Sequence, residues 1–237
     1  MGGKFEIGYI RGIPLVVDGS FLILAVLWSM PWLRTGDIGY VCYGLLLVAG
    51  LAGSIILHEL GHAIAGQRYG VRTSHMELNG LGGLCFYASA VPVAPLPRIV
   101  MLLAGPAANL VLWITLGACS HFIGAFEEPA WLPVTGFDRL GDLLESLAQA
   151  NFWMLCFNLL PAYPLDGGKA LEALIRIPSH VDFARYIVGW LGLLIALGCA
   201  LSMLSQGVFM LVLAHQLFAS NAFVLSASGK PPWSRWT

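Results

Sequence analysis

His58 and His62 stand four residues apart with Glu59 between them, in a stretch from 38 to 65 that is otherwise free of charge and of imidazole. On a helix that spacing puts both rings on one face, where two ring nitrogens can meet one metal ion. Glu59, one position on, can reach water activated by that ion without being a ligand, which is the place a general base needs. The chemistry such a trio serves is hydrolysis. Ionisable groups inside a membrane-length apolar helix are costly and usually functional. The structural alternative is a set of polar residues satisfied inside a helical bundle.

A hydrolytic zinc usually takes three protein ligands and keeps a position for water, so a third donor is expected elsewhere. His75, His121 and His180 fall in expected loops, and His215 lies in the last apolar segment, where a lone histidine is more often a satisfied core residue. Asp166 is the better candidate. It follows Pro161 and Pro164, which favour extended backbone, and precedes Gly167 and Gly168, which permit a sharp turn and close approach. The same aspartate could instead cap the helix that should run to Ile177. The two roles are compatible.

The elements that must position these residues are membrane helices. The chain has 237 residues, 58% hydrophobic and only 11% charged, where a soluble domain carries about a quarter charged residues. Apolar segments fall at 20–33, 38–65, 99–119, 147–160, 183–204 and 208–223. They predict an all-α polytopic protein of about six spans, or four if the short first and fourth segments are re-entrant. Of the 12 lysines and arginines, a cytoplasmic N-terminus leaves only Arg34 and Arg139 outside, as the positive-inside rule favours. Both termini are then cytoplasmic, the acidic loop 120–145 is external, and the site lies towards the cytoplasmic face.

Further features narrow the class. The five cysteines are scattered singly and show no disulfide or metal-binding spacing. No basic run points to nucleic acid, no signal-cleavage pattern follows Lys4 and Arg11, and no segment is long enough for a separate soluble domain. Residues 1–237 are therefore expected to form one membrane-embedded domain, with a core over 12–177 and two further spans over 178–226. The glycine-rich stretch 73–97 is too short and too broken for a span. It predicts either a hairpin dipping into the protein or a plain cytoplasmic loop.

Together, His58-Glu59-Leu60-Gly61-His62, Ala104-Gly105-Pro106-Ala107-Ala108-Asn109 and Asn158-Leu159-Leu160-Pro161…Pro164-Leu165-Asp166-Gly167-Gly168 resemble, in order, the motifs of the site-2 protease family of intramembrane zinc metalloproteases. Gly12-Ile13-Pro14 is similar to the usual opening of its compact members, those without a PDZ or cystathionine-β-synthase-like domain. The resemblance implies one zinc held by His58, His62 and Asp166, with Glu59 as the catalytic base. It implies that Asn109 and Asn158 hold the substrate strand or stabilise the oxyanion, and that a small re-entrant β-hairpin before the third span maps onto 77–87. An outer edge of that hairpin around Gly82, Gly83 and Leu84 could pair with substrate by strand addition. Lys169 departs from the arginine common after the glycine pair.

The expected activity is intramembrane zinc endopeptidase, cutting peptide bonds in or near transmembrane segments of membrane-spanning or membrane-associated proteins in regulated intramembrane proteolysis. The bilayer and such substrates are the expected partners, with a regulatory membrane partner left unassigned and a prokaryotic plasma membrane as the setting. The alternative is a metal-binding membrane protein without peptidase activity, a transporter or a sensor. A transporter should show further intramembrane charges along a pathway and often pseudo-symmetric halves, and neither is visible.

Overall fold

The computed structural model describes residues 3–80, 82–88, 93–124, 136–206 and 208–227. They form four strands and seven helices. Two compact units result, Met1–Val91 with Ala104–Leu155, and Pro92–Leu103 with Cys156–Thr237.

In the first unit, β1 (Lys4–Ile10) and β2 (Ile13–Asp18) form an antiparallel hairpin. Its two-residue turn is Arg11-Gly12, both at positive φ (51° and 79°), the backbone that suits a twisted hairpin. Next come α1 (Gly19–Leu33) and α2 (Ile38–Arg68), each capped by an aspartate that accepts backbone N–H groups, Asp18 from Ser20 and Asp37 from Gly39 and Tyr40. β3 (Thr73–Asn79) then pairs parallel to β2, and β4 (Gly82–Tyr87) folds back antiparallel on β3, giving the sheet order β1-β2-β3-β4. Asn79 faces Gly82 in register, with Gly80 in the turn between the strands; Leu81 lies outside the described residues. The Gly80 N–H donates to Ser20 Oγ at 3.0 Å, which ties the turn to the start of α1.

One face of α2 carries this sheet. Ile13, Leu15 and Val17 alternate inward along β2, join Met76 and Leu78 of β3, and pack with Ala52, Ile55, Ile56, Leu60 and Ala63 of α2. An adjacent face of α2 meets α3 (Pro95–Gly124) at very close range. A β-carbon on Gly61 would stand 2.5 Å from the Ala104 carbonyl oxygen and 3.3 Å from Gly105 Cα. Small residues let two apolar helices approach this closely, and close approach is what holds helices together in lipid.

The second unit contains α5 (Asp166–Ile175), α6 (Val181–Gln206) and α7 (Val208–Ala227). Gly189 meets Leu225 while Gly192 meets Asn221, so α6 and α7 run antiparallel. Ala162, Ala196 and Leu217 form a buried apolar cluster. Buried Glu172 on α5 accepts from the Tyr163 hydroxyl at 2.9 Å and has the guanidinium groups of Arg185, Arg98 and Arg176 at 3.6–3.9 Å. A carboxylate this deep requires such partners. Burial pushes the Tyr163 phenol well above the ordinary tyrosine range, and the Glu172 charge adds to the effect.

The protein is mostly helical and an integral membrane protein. By length and composition, four described helices can cross a membrane, Ile38–Arg68, Pro95–Gly124, Val181–Ser202 and Met210–Ala227. The first apolar segment is α1, at 15 residues short of a full span. The fourth is the C-terminal part of α4 (Gly136–Asn158), whose N-terminal part is polar. Expecting helices throughout was too strict, because β1 and β2 are strands where a lead-in to the first span was expected. An open sheet is excluded where it faces lipid; here its inner face is covered by α2. The expected external loop is partly helical, since α3 runs to Gly124 and α4 starts at Gly136, while residues 125–135 lie outside the described residues. So do 89–92 of the glycine-rich stretch and the tail 228–237.

The α2·α3 contact generates a prediction. Gly61→Ala meets backbone atoms that cannot rotate away, so the helices must separate, at a cost of about 1–3 kcal/mol. Thermal unfolding in detergent should show a clearly lower Tm than wild type. An unchanged Tm would mean that the two helices do not touch here.

Candidate metal centre

His58, Glu59 and His62 are buried on α2. The Nε2 atoms of the two histidines are 3.1 Å apart, with the rings edge to face at 4.8 Å between centroids. Two nitrogens bound to one zinc at the tetrahedral angle are about 3.3 Å apart, so the pair already has the spacing of ligands. Gly105 keeps the space beside them open. A β-carbon there would stand 2.3 Å from His62 Nε2 and 2.7 Å from His58 Nε2.

The other nitrogen of His58 faces Asn109 Oδ1 of α3 at 2.5 Å. An amide oxygen only accepts, so the proton resides on Nδ1 and Nε2, beside His62 Nε2 and Gly105, is left as the acceptor. Asn109 is fully buried and donates from Nδ2 to Asn151 Oδ1 at 2.8 Å. Asn151, also fully buried on α4, donates to Ser54 Oγ at 2.9 Å and to the Leu147 carbonyl at 2.8 Å, and Ser54 donates to the Gly50 carbonyl at 3.0 Å. A polar chain thus runs from His58 through α3 and α4 and back to α2. Asn151 and Ser54 were missed in the sequence. Ser54 sits one helical turn before His58, and that spacing was the available signal.

Glu59 lies against the hairpin. A β-carbon on Gly83 would be 2.6 Å from Glu59 Oε1 and 2.7 Å from its Cγ, so only glycine lets β4 come this near. β4 is an edge strand of the sheet. Gly82 has φ 132° and Leu84 is exposed. Cys85 on the same strand has its thiol pushed up to about 11, first by burial and further by the Glu59 carboxylate.

Asp166 is buried and is the first residue of α5, with Leu165 in the capping position, so it does not cap that helix. Lys169 Nζ is 3.7 Å from its Oδ1. The two glycines after it are required. A β-carbon on Gly167 would be 2.3 Å from the Leu159 carbonyl oxygen, and one on Gly168 would be 2.5 Å from the Ala162 carbonyl. Asn158 ends α4 and is half-buried. Among the described residues, His58, His62 and Asp166, all buried, are the donor set that could hold a metal ion. Two imidazoles and a carboxylate suit zinc.

No protein-family model matches the chain. Among curated proteins it is 30% identical over 197 residues to "Putative zinc metalloprotease Rip3" of Mycobacterium tuberculosis, covering 80% of this chain and 48% of that one. It is 30% identical over 244 residues to the similarly named sll0528 of Synechocystis sp., covering 94% of this chain and 61% of that one. It is also 30% identical over 167 residues to "Zinc metalloprotease MJ0392" of Methanocaldococcus jannaschii, covering 70% and 44%. The chain therefore spans only about half to three-fifths of the length of these relatives. Among solved structures, the site-2 protease from Methanocaldococcus jannaschii has the same fold, with a TM-score of 0.65 and 24% identity over 94% of this chain and 95% of that one.

The chain is similar in sequence to zinc metalloproteases and shares the fold of a site-2 protease. In this chain the glycine of Ala104-Gly105-Pro106 has a physical role that the motif alone did not disclose, because a side chain there would collide with the two Nε2 atoms.

Gly105→Ala should therefore abolish metal binding while the helices still fold. Metal content by mass spectrometry, read beside the circular dichroism of the same sample, checks this. A folded Gly105→Ala protein with wild-type metal content would show that the space beside Gly105 is not the site.

Proposed function

We propose that the chain is an intramembrane zinc endopeptidase that hydrolyses peptide bonds in or near transmembrane segments of membrane proteins. The observation that carries this reading is the buried pair of Nε2 atoms, 3.1 Å apart, with Glu59 beside them in an apolar helix. His58, His62 and Asp166 would hold one zinc per chain. When bound, zinc supplies a Lewis acid that polarises a carbonyl and brings a water's pKa to about 7.

The chain's own residues do the rest. Glu59 is the base, taking a proton from water and returning it to the leaving nitrogen. Asn109 fixes the ring of His58 through Nδ1, which sets the tautomer a ligand needs. That bond and the one to Asn151 supported this role over the expected one at the substrate. Asn158 at the end of α4 remains assigned to the substrate strand or the oxyanion. A peptide bond in a helix is shielded by its own hydrogen bonds and must be drawn into a strand before attack. Its freed backbone groups then need partners away from water. The edge of β4 around Gly82, Gly83 and Leu84 can supply them by strand addition, one residue from Glu59. The retained glutamate supports hydrolysis over transport or sensing.

A panel of variants in the full chain tests these roles against a metal-dependent cleavage assay and zinc content. Glu59→Gln should abolish cleavage and keep the metal, whereas His58→Ala and Asp166→Ala should lose both. Asn109→Ala should weaken zinc binding about 10–100-fold. Proline at one of positions 84–87 that removes an outward N–H should cut turnover strongly and leave zinc in place. Cleavage by Glu59→Gln at the wild-type rate would rule out the base, and full zinc occupancy in Asp166→Ala would rule out that ligand.

For topology we propose six spans, with α1 and α4 completing the four long apolar helices, both termini cytoplasmic and a prokaryotic plasma membrane as the setting. The lysine and arginine distribution supports this. Impermeant thiol labelling of single introduced cysteines should reach 125–141 from outside and miss 71–74 and positions after 229. Efficient external labelling of the C-terminal tail would overturn the orientation.

A further inference from the structure

The backbone just before Asp166 is held by α7, the last described helix. Asn221 of α7 is fully buried. Its Oδ1 accepts the Tyr163 N–H at 3.1 Å, and its Nδ2 donates to the Tyr163 carbonyl at 2.8 Å and to the Leu217 carbonyl of its own helix at 2.7 Å. One carboxamide thus satisfies both backbone groups of a single residue, as a neighbouring strand would. Pro161 and Pro164 bring no N–H donors and interrupt the regular backbone ladder here, and unpaired backbone groups are expensive away from water. Asn221 removes that cost at one position, three residues before the carboxylate.

The clamp is seated by α6. A β-carbon on Gly192 would stand 2.0 Å from Asn221 Oδ1 and 2.4 Å from its Nδ2, so only glycine leaves room for the amide. Two further contacts fix the same stretch. Ala162 is packed with Ala196 and Leu217, and the Tyr163 hydroxyl donates to Glu172 of α5. On its other side the loop lies on Gly167 and Gly168. Asp166 therefore starts its helix from a backbone anchored on both sides.

We infer that Asn221, seated against Gly192, is a positioning residue for Asp166, and that the α6–α7 hairpin belongs to the metal-binding machinery. This rests on the reading of Asp166 as a zinc ligand. It extends the functional core beyond the 12–177 expected from sequence. The competing explanation is that Asn221 merely packs α6 against α7. Gly189 offers the control, since a β-carbon there would meet the Leu225 side chain at 2.7 Å on the same helix pair, away from Tyr163.

The test is zinc affinity of the full chain in detergent, by competition with a chromophoric chelator, together with the visible absorption of the cobalt-substituted protein. Asn221→Ala and Gly192→Ala should each lower zinc affinity about 10–100-fold, as loss of a ligand's support does, and should shift the cobalt bands. Gly189→Ala should lower the Tm yet keep wild-type affinity and spectrum. Gly192→Ala displaces the amide without removing it, so it decides the matter if Asn221→Ala does not fold. Wild-type affinity and spectrum in a folded variant of either position would overturn the inference, as would an equal loss in Gly189→Ala. Asp166→Ala separates the two levels. If it binds zinc normally, the ligand assignment fails. If it loses zinc while the clamp variants keep theirs, only the positioning role fails.

Discussion

The hydrogen bond between His58 Nδ1 and Asn109 Oδ1 is the contact on which the centre depends. In an apolar bundle a histidine cannot leave one nitrogen unpaired without cost. Because the partner is a carbonyl-type oxygen, the proton stays on Nδ1 and Nε2, beside His62 Nε2 and Gly105, keeps its lone pair. Asn109 is itself committed through Asn151 to Ser54, so the His58 ring is restrained by three helices. A chain of this kind holds only if every member is satisfied. Here each link pairs a donor with an acceptor.

The glycines set the distances over which that chain works. Gly61 brings α2 against the backbone at Ala104, and Gly105 follows directly in the same contact. A larger residue at either position would change the separation that lets Asn109 reach His58. α2 has two further duties on its other face, where Ile55, Ile56 and Leu60 carry the sheet and Glu59 meets Gly83. One helix therefore carries His58, Glu59 and His62 together. It also sets the distance between Glu59 and the edge of β4. The architecture brings a strand edge to a carboxylate with no loop between them.

Much of this was legible in the sequence where local rules apply. The i, i+4 spacing of His58 and His62 survives in any helix, and a pair of prolines followed by two glycines forces a turn wherever it lies. The glycines before α3 left a hairpin and a plain loop equally open, and the structure forms two antiparallel strands there, Thr73–Asn79 and Gly82–Tyr87. The strands of residues 4–18 were less legible, because the rule against sheet in lipid dominated the reading. The alternation of Ile13, Leu15 and Val17 was nevertheless present. Apart from Asn109 and the one-turn spacing of Ser54 from His58, the supports of the site were not legible. Asn151 meets Ser54 across 97 positions, and Asn221 meets Tyr163 across 58. No local pattern marks an asparagine in an apolar helix as the clamp of a loop so far away. Gly192 reads as an ordinary small residue, and Gly105 only as part of a motif, until their neighbours are known.

The most direct test of the central claim is X-ray absorption at the zinc K-edge on the purified full chain. The expected result is a four-coordinate site with two imidazole nitrogens at about 2.0–2.1 Å, showing the outer-shell scattering of histidine rings, and oxygen for the remaining ligands. Sulfur scattering at about 2.3 Å, or a shell without imidazole, would contradict it.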